Sequence, residues 1–149
     1  MKRGTFLVTR ADDTAVLRDV ASGQVHTLAS NPGLSRGTVL DATVAPDPPL
    51  EVTWSLETVH DRREVAVERE SAPPPARAVE AAADDDPGEV LELDDDSLAH
   101  HVLVVPGERT DGAAEEVLAD EATLTRAARL GATRVTVRAG DGVVAVRYR

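Results

Sequence analysis

Six arginines, Arg126, Arg129, Arg134, Arg138, Arg147 and Arg149, stand between Ala122 and Arg149 with a single acid, Asp141. From Glu80 to Glu121 the balance is reversed, with fifteen acids and one base, Arg109. A guanidinium stays charged and offers five N–H donors in a planar fork, so its chemistry is the recognition of carboxylate or phosphate rather than proton transfer. Strand alternation aligns several of these side chains. With Val135 and Val137 facing a core, Arg134, Thr136 and Arg138 share the opposite face, and Arg147 joins them if Val144, Val146 and Tyr148 point inward. Arg129, near the end of the preceding helical segment, completes a candidate binding surface of Arg134, Thr136, Arg138, Arg147 and Arg129. Such a surface suits an acidic protein segment, either a partner's or this chain's own, and nucleic acid is the alternative. The plainest role for it is to balance neighbouring acids.

Other chemistries find less support. Of the four histidines, His26, His60, His100 and His101, the last two are adjacent and point to opposite faces of a strand, so they do not converge on one metal. All four are expected to face solvent. The acidic runs Asp84 to Asp86 and Asp94 to Asp96 lack the alternating order and terminal Glu of a calcium-binding loop and read as solvated surface. There is no cysteine, hence no disulfide framework and no thiol nucleophile. No GxSxG, phosphate-binding P-loop or GxGxxG pattern is present. No catalytic, cofactor or metal residue is assigned, and the chain reads as a non-catalytic binding or accessory protein.

The elements that would position the arginines follow from patterning. Thr5 to Arg10, Thr14 to Val20 and Gln24 to Leu28 are β-type runs separated by Asp12-Asp13 and Ser22-Gly23, which predicts a three-strand meander. The SNPG turn at Ser30 to Gly33 precedes a fourth run, Gly37 to Val44, and the prolines 46, 48 and 49 end it. Val52, Trp54 and Leu56 alternate with polar residues over Glu51 to Val59. A short strand near Glu64 to Glu68 is expected after a turn at Asp61 to Arg63, with Val65 and Val67 inward. Residues 1–70 therefore predict a small antiparallel β-barrel, OB-like or SH3-like, with Trp54 in its core. SNPGLSRG is too short to supply the helix that an OB fold usually carries before its fourth strand.

Residues 71–89, rich in proline, alanine and acids, read as a linker and as the least ordered stretch. Residues 90–149 predict a second, β-α-α-β-β domain, making the protein α+β. Its parts are a strand at His101 to Val105, a helix opening at Asp111 or Gly112, a second helix from Glu121 to Leu130 capped by Asp120 and stopped by Gly131, and a closing hairpin turning at Asp141-Gly142.

The bulk composition sets the environment. The chain has 149 residues, 27 Asp plus Glu against 16 Lys plus Arg, a net charge of −11, and Lys2 as its only lysine. An acidic chain with arginine almost alone as its base suits molar salt, where self-repulsion is screened over roughly 3 Å at 1 M. A salt-loving archaeal source or a high-GC bacterium would each give this balance. No apolar run approaches the roughly 18 residues of a membrane span, so a soluble cytoplasmic protein is expected.

GTFLVT, HTLASNPG, VAPDPPLEVTW, ARLGATRVTVR and GDGVVAVRY together resemble an uncharacterised family of small haloarchaeal proteins. The resemblance covers both ends of the chain and skips the linker. It implies a salt-loving archaeal source and two small domains, and brings no catalytic residue with it.

Overall fold

The protein is described from a computed structural model covering residues 1–149, and it is α+β. It divides into two compact units. One comprises Met1–Val65 with Leu124–Gly131, and the other Ala66–Thr123 with Ala132–Arg149.

The first unit is a closed five-stranded barrel of β1 (Lys2–Ala11), β2 (Ala15–Asp19), β3 (Val25–Leu28), β4 (Thr38–Pro46) and β5 (Trp54–Glu64), in the order β1-β2-β3-β5-β4. The β1-β2-β3 meander forms where turn residues interrupt the β-type runs. Closure comes from β4 pairing with both β1 and β5, while β3 meets β5 in parallel at Leu28 and Trp54. The core is aliphatic apart from Phe6 and the fully buried His26 ring beside it. Val8, Leu17, Leu28, Leu40 and Val44 surround the Phe6 ring, and Leu34 enters from the β3–β4 connection. Asp19 ends β2 by accepting the N–H groups of Ala21 and Ser22 at 2.8 and 3.2 Å, with Lys2 Nζ 3.0 Å away.

Two expectations change here. Asp61 to Arg63 form no turn: they lie within β5, opposite Asp41, Leu40 and Val39, and bulges in the β4–β5 pairing absorb the break in alternation that imitated one. Val52 precedes β5 and is exposed, and Trp54 is only half-buried at the barrel's margin.

The second unit is a five-stranded sheet of β6 (Ala66–Arg69), β7 (Val90–Glu92), β8 (Ala99–Val104), β9 (Arg134–Gly140) and β10 (Val143–Tyr148), in the order β6-β9-β10-β8-β7. The short strand read as the barrel's last is β6, which instead pairs in parallel with β9. Helix α2 (Thr110–Ala119) packs on β6, β9 and β10. It lies on the face of Val135, Val137, Val144, Val146 and Tyr148, because Arg69, level with Val137, reaches its Asp111 and Glu115. The stretch read as a linker carries helix α1 (Ala76–Ala82). Its Ala78 and Ala82 bury against Val102, Val104, Val143 and Ala145, so α1 covers part of the opposite face.

Helix α3 (Glu121–Leu130) starts where Asp120 Oδ1 accepts the Ala122 N–H at 2.9 Å and stops at Gly131, whose φ is +78°. The hairpin turn is Asp141-Gly142, both at positive φ, as a two-residue turn between twisted strands requires. A Cβ on Gly142 would lie 2.9 Å from the Val105 carbonyl oxygen.

Candidate functional site

The β9–β10 hairpin sets the site by simple alternation. Burying Val135 and Val137 beneath α2 leaves Arg134, Thr136 and Arg138 on the opposite face, and burying Val144, Val146 and Tyr148 does the same for Arg147. Register then assembles rows across the sheet. Glu68, Thr136, Arg147 and His100 lie opposite one another on β6, β9, β10 and β8. One row away, Arg138 pairs with Ala145, which in turn faces Val102. On the other side Arg134 and Arg149 exchange backbone hydrogen bonds at 2.9 and 3.0 Å. Helix α1 shields the Ala145–Val102 end but not the rest, leaving a cavity of about 300 Å³ lined by Arg134, Arg138, Arg147, Arg149, His100 and Thr136, with Glu70 and Pro75 at its margin.

Most of these cations already hold a carboxylate. Arg134 Nη2 donates to Glu68, Arg138 Nε to Glu70 at 3.1 Å, and Arg147 Nη2 to Asp96 at 2.8 Å. His100, 4% exposed, has its Nδ1 2.7 Å from Asp95 Oδ2. Asp95 also accepts the backbone N–H of Ser97 at 2.9 Å and its hydroxyl. Burial pushes the Asp95 carboxyl up, but the bonds from Ser97 and His100 outweigh it and hold the group well below the usual carboxylate range. An ionised Asp95 fixes the His100 ring and leaves its Nε2 edge to the cavity.

Of the residues singled out from sequence, Arg134, Thr136, Arg138 and Arg147 line this one cavity and Arg129 does not. Arg129 belongs with the barrel, where its Nε and Nη2 donate to the Val20 carbonyl at 3.1 and 2.9 Å. The surface drawn from sequence left out His100, Arg149 and Asp95, which also belong to the cavity or its partners. Two of the four histidines expected to face solvent are buried, His26 fully and His100 nearly so. The available signal was alternation: in the His100-His101 pair one ring had to face the arginines while the other took the Tyr148 side, where the His101 and Tyr148 rings lie 5.5 Å apart. No three His, Asp or Glu side chains converge as a metal site would require, and no helix is long and apolar enough to cross a membrane.

A sequence-family match covers residues 2–139. The chain belongs to DUF5812, a family of unknown function. The matched stretch of this DUF5812 chain includes the barrel and the Arg134–Arg138 face, and ends one residue short of the end of β9. No curated protein and no solved structure matches the chain.

Proposed function

We propose that this protein is a non-catalytic binding or accessory module whose arginine-lined sheet face receives an acidic segment of a partner protein. The observation that carries the reading is the convergence of Arg134, Arg138, Arg147 and Arg149 on one cavity. Each guanidinium that already pairs with a carboxylate does so through one or two of its five N–H groups, which keeps it oriented and leaves donors for a ligand. The acid-rich, lysine-poor composition supports a salt-adapted cytoplasmic protein, and short-range bidentate pairing survives screening that removes long-range steering.

Nucleic-acid binding is the second reading, and the barrel favours it. The order β1-β2-β3-β5-β4, with its parallel β3–β5 contact, is what an OB-like barrel would have, and OB folds commonly bind oligonucleotides. Against it, binders of single strands stack bases on exposed rings. Phe6 and Tyr148 are buried, which leaves half-buried Trp54, beside a cleft on the barrel, as the one large ring a base could reach. The two readings separate in one experiment. Labelled acidic peptides, single-stranded DNA and structured RNA are titrated in roughly 2 M potassium chloride against wild type and Arg138→Ala/Arg147→Ala. Peptide binding that the double variant loses supports the first reading. Nucleic-acid binding indifferent to the double variant refutes it in favour of the barrel.

A further inference from the structure

The charges around the cavity balance in an informative way. Four guanidiniums, on Arg134, Arg138, Arg147 and Arg149, face four carboxylates that line the cavity or bind its cations, on Glu68, Glu70, Asp95 and Asp96. The site is therefore near neutral when His100 is neutral and positive when it is protonated. Arg77 on α1 is turned to the Asp94 carbonyl at 2.8 Å. His100 is held for this role. Asp95 occupies its Nδ1, and the ring lines the cavity from the row it shares with Arg147 and Thr136.

An entering carboxylate would compete on equal terms with Glu70 for Arg138 and with Asp96 for Arg147, one charge against one. A phosphate monoester carries about −1.5 to −2 charges at neutral pH and three acceptor oxygens. It can take the free guanidinium N–H groups and a proton on His100 Nε2 at once.

We propose that the cavity is a phosphomonoester site, with His100, fixed by Asp95, carrying the proton that enters with the anion. This rests on the acidic-partner reading above and narrows it: the recognised acidic group is a phosphorylated side chain. The cavity, about 300 Å³, accommodates such a group together with its attachment.

The test uses the full chain and three peptides identical except at one residue flanked by acids, which is Ser, Glu or phosphoserine, with inorganic phosphate as a fourth probe. Calorimetry at pH 6, 7 and 8 in fixed salt should show the phosphoserine peptide binding at least about tenfold tighter than the Glu peptide. Between pH 7 and 8, above the phosphate's own second ionisation at about 6, its affinity should fall by up to about tenfold, because binding takes up a proton. His100→Gln should abolish that pH slope. Because His100 is buried, Asp95→Asn is the second variant: it keeps the ring but releases Nδ1, and should weaken phosphoserine binding more than Glu binding. Ring nitrogen NMR signals of His100 should shift on adding the phosphopeptide.

Equal affinity for the Glu and phosphoserine peptides overturns the phosphate site while leaving the acidic-segment reading standing, and a slope unchanged in His100→Gln overturns the role given to His100. Inorganic phosphate binding as tightly as the phosphopeptide keeps the phosphate site and overturns the protein partner. Absence of binding by all four probes overturns both.

Discussion

Lowering the pH from 7.5 to 5.5 should loosen the barrel through one side chain, His26. Its ring is fully buried in edge-to-face contact with Phe6 at 5.3 Å and Trp54 at 4.6 Å. Burial pushes its pKa below the ordinary value of 6.5 and the charge on Lys2 adds to the push, while the charge on Asp19 and the Gln24 backbone oppose it. In the unfolded chain the imidazole gains a proton below about pH 6.5, whereas the folded ring takes one up only at lower pH. The unfolded state then binds more protons, and stability falls as the pH falls. The slope is at most about 1.4 kcal/mol per pH unit, and only the last of these two units lies below 6.5, so His26 contributes a loss of at most about 1.4 kcal/mol. Urea unfolding followed by the fluorescence of Trp54, the only tryptophan, reads the change beside the ring that causes it. Urea is preferred to guanidinium because a salt denaturant would screen the charges of a −11 chain. The control is His26→Leu. Whatever it costs in packing is the same at both pH values and cancels when the two pH-dependent losses are subtracted. Wild type should lose about 1 kcal/mol more than the variant between pH 7.5 and 5.5. Equal losses in the two proteins would refute the account of His26 as a group buried neutral.

Three further outcomes follow from the geometry. Gly142→Ala places a Cβ 2.9 Å from a backbone oxygen at a residue with φ of +82°, and should cost about 1–2 kcal/mol for the left-handed backbone alone, read by urea unfolding of the whole chain. Arg129→Ala removes two charged donors from the Val20 carbonyl and should destabilise the chain by about 1–2 kcal/mol while leaving peptide affinity unchanged; a parallel loss of binding would return Arg129 to the binding surface. Dialysis from roughly 2 M to 0.1 M potassium chloride should expand or unfold a chain of net charge −11, as read by light scattering and far-UV dichroism, and unchanged compactness would count against salt adaptation.

The meander, α2, α3 and the closing hairpin were legible because each is set by local periodicity and by a punctuating residue such as Asp120, Gly131 or Gly142. What escaped depended on partners distant in sequence. The Glu64–Glu68 run looks like a last barrel strand, yet its polar–apolar alternation suits either sheet, and the parallel partner β9 lies far along the chain. Residues 71–89 look like linker because alanine carries little hydrophobic signal. Small side chains are nonetheless what lets α1 lie close on Val102 and Ala145. One association no local reading would find is that Leu124–Gly131 belongs with the barrel, where the Ala128 carbonyl accepts from Arg63 at 3.0 Å and Arg129 bonds Val20 across 109 residues.

The arginine face shows the limit of reading charge by segment. Counted along the chain, acids and arginines fall into separate blocks, which suggests a bare cationic surface waiting for an anion. Register brings acids from the acidic block and from ahead of it to the arginines. Parallel pairing with β9 carries Glu68 and Glu70 to Arg134 and Arg138, and the loop before β8 carries Asp95 and Asp96 to His100 and Arg147. A surface so compensated attracts little from a distance. Its selectivity must come from what an incoming group offers over the carboxylates already in place: more charge, more acceptors, or a proton that the site can hold.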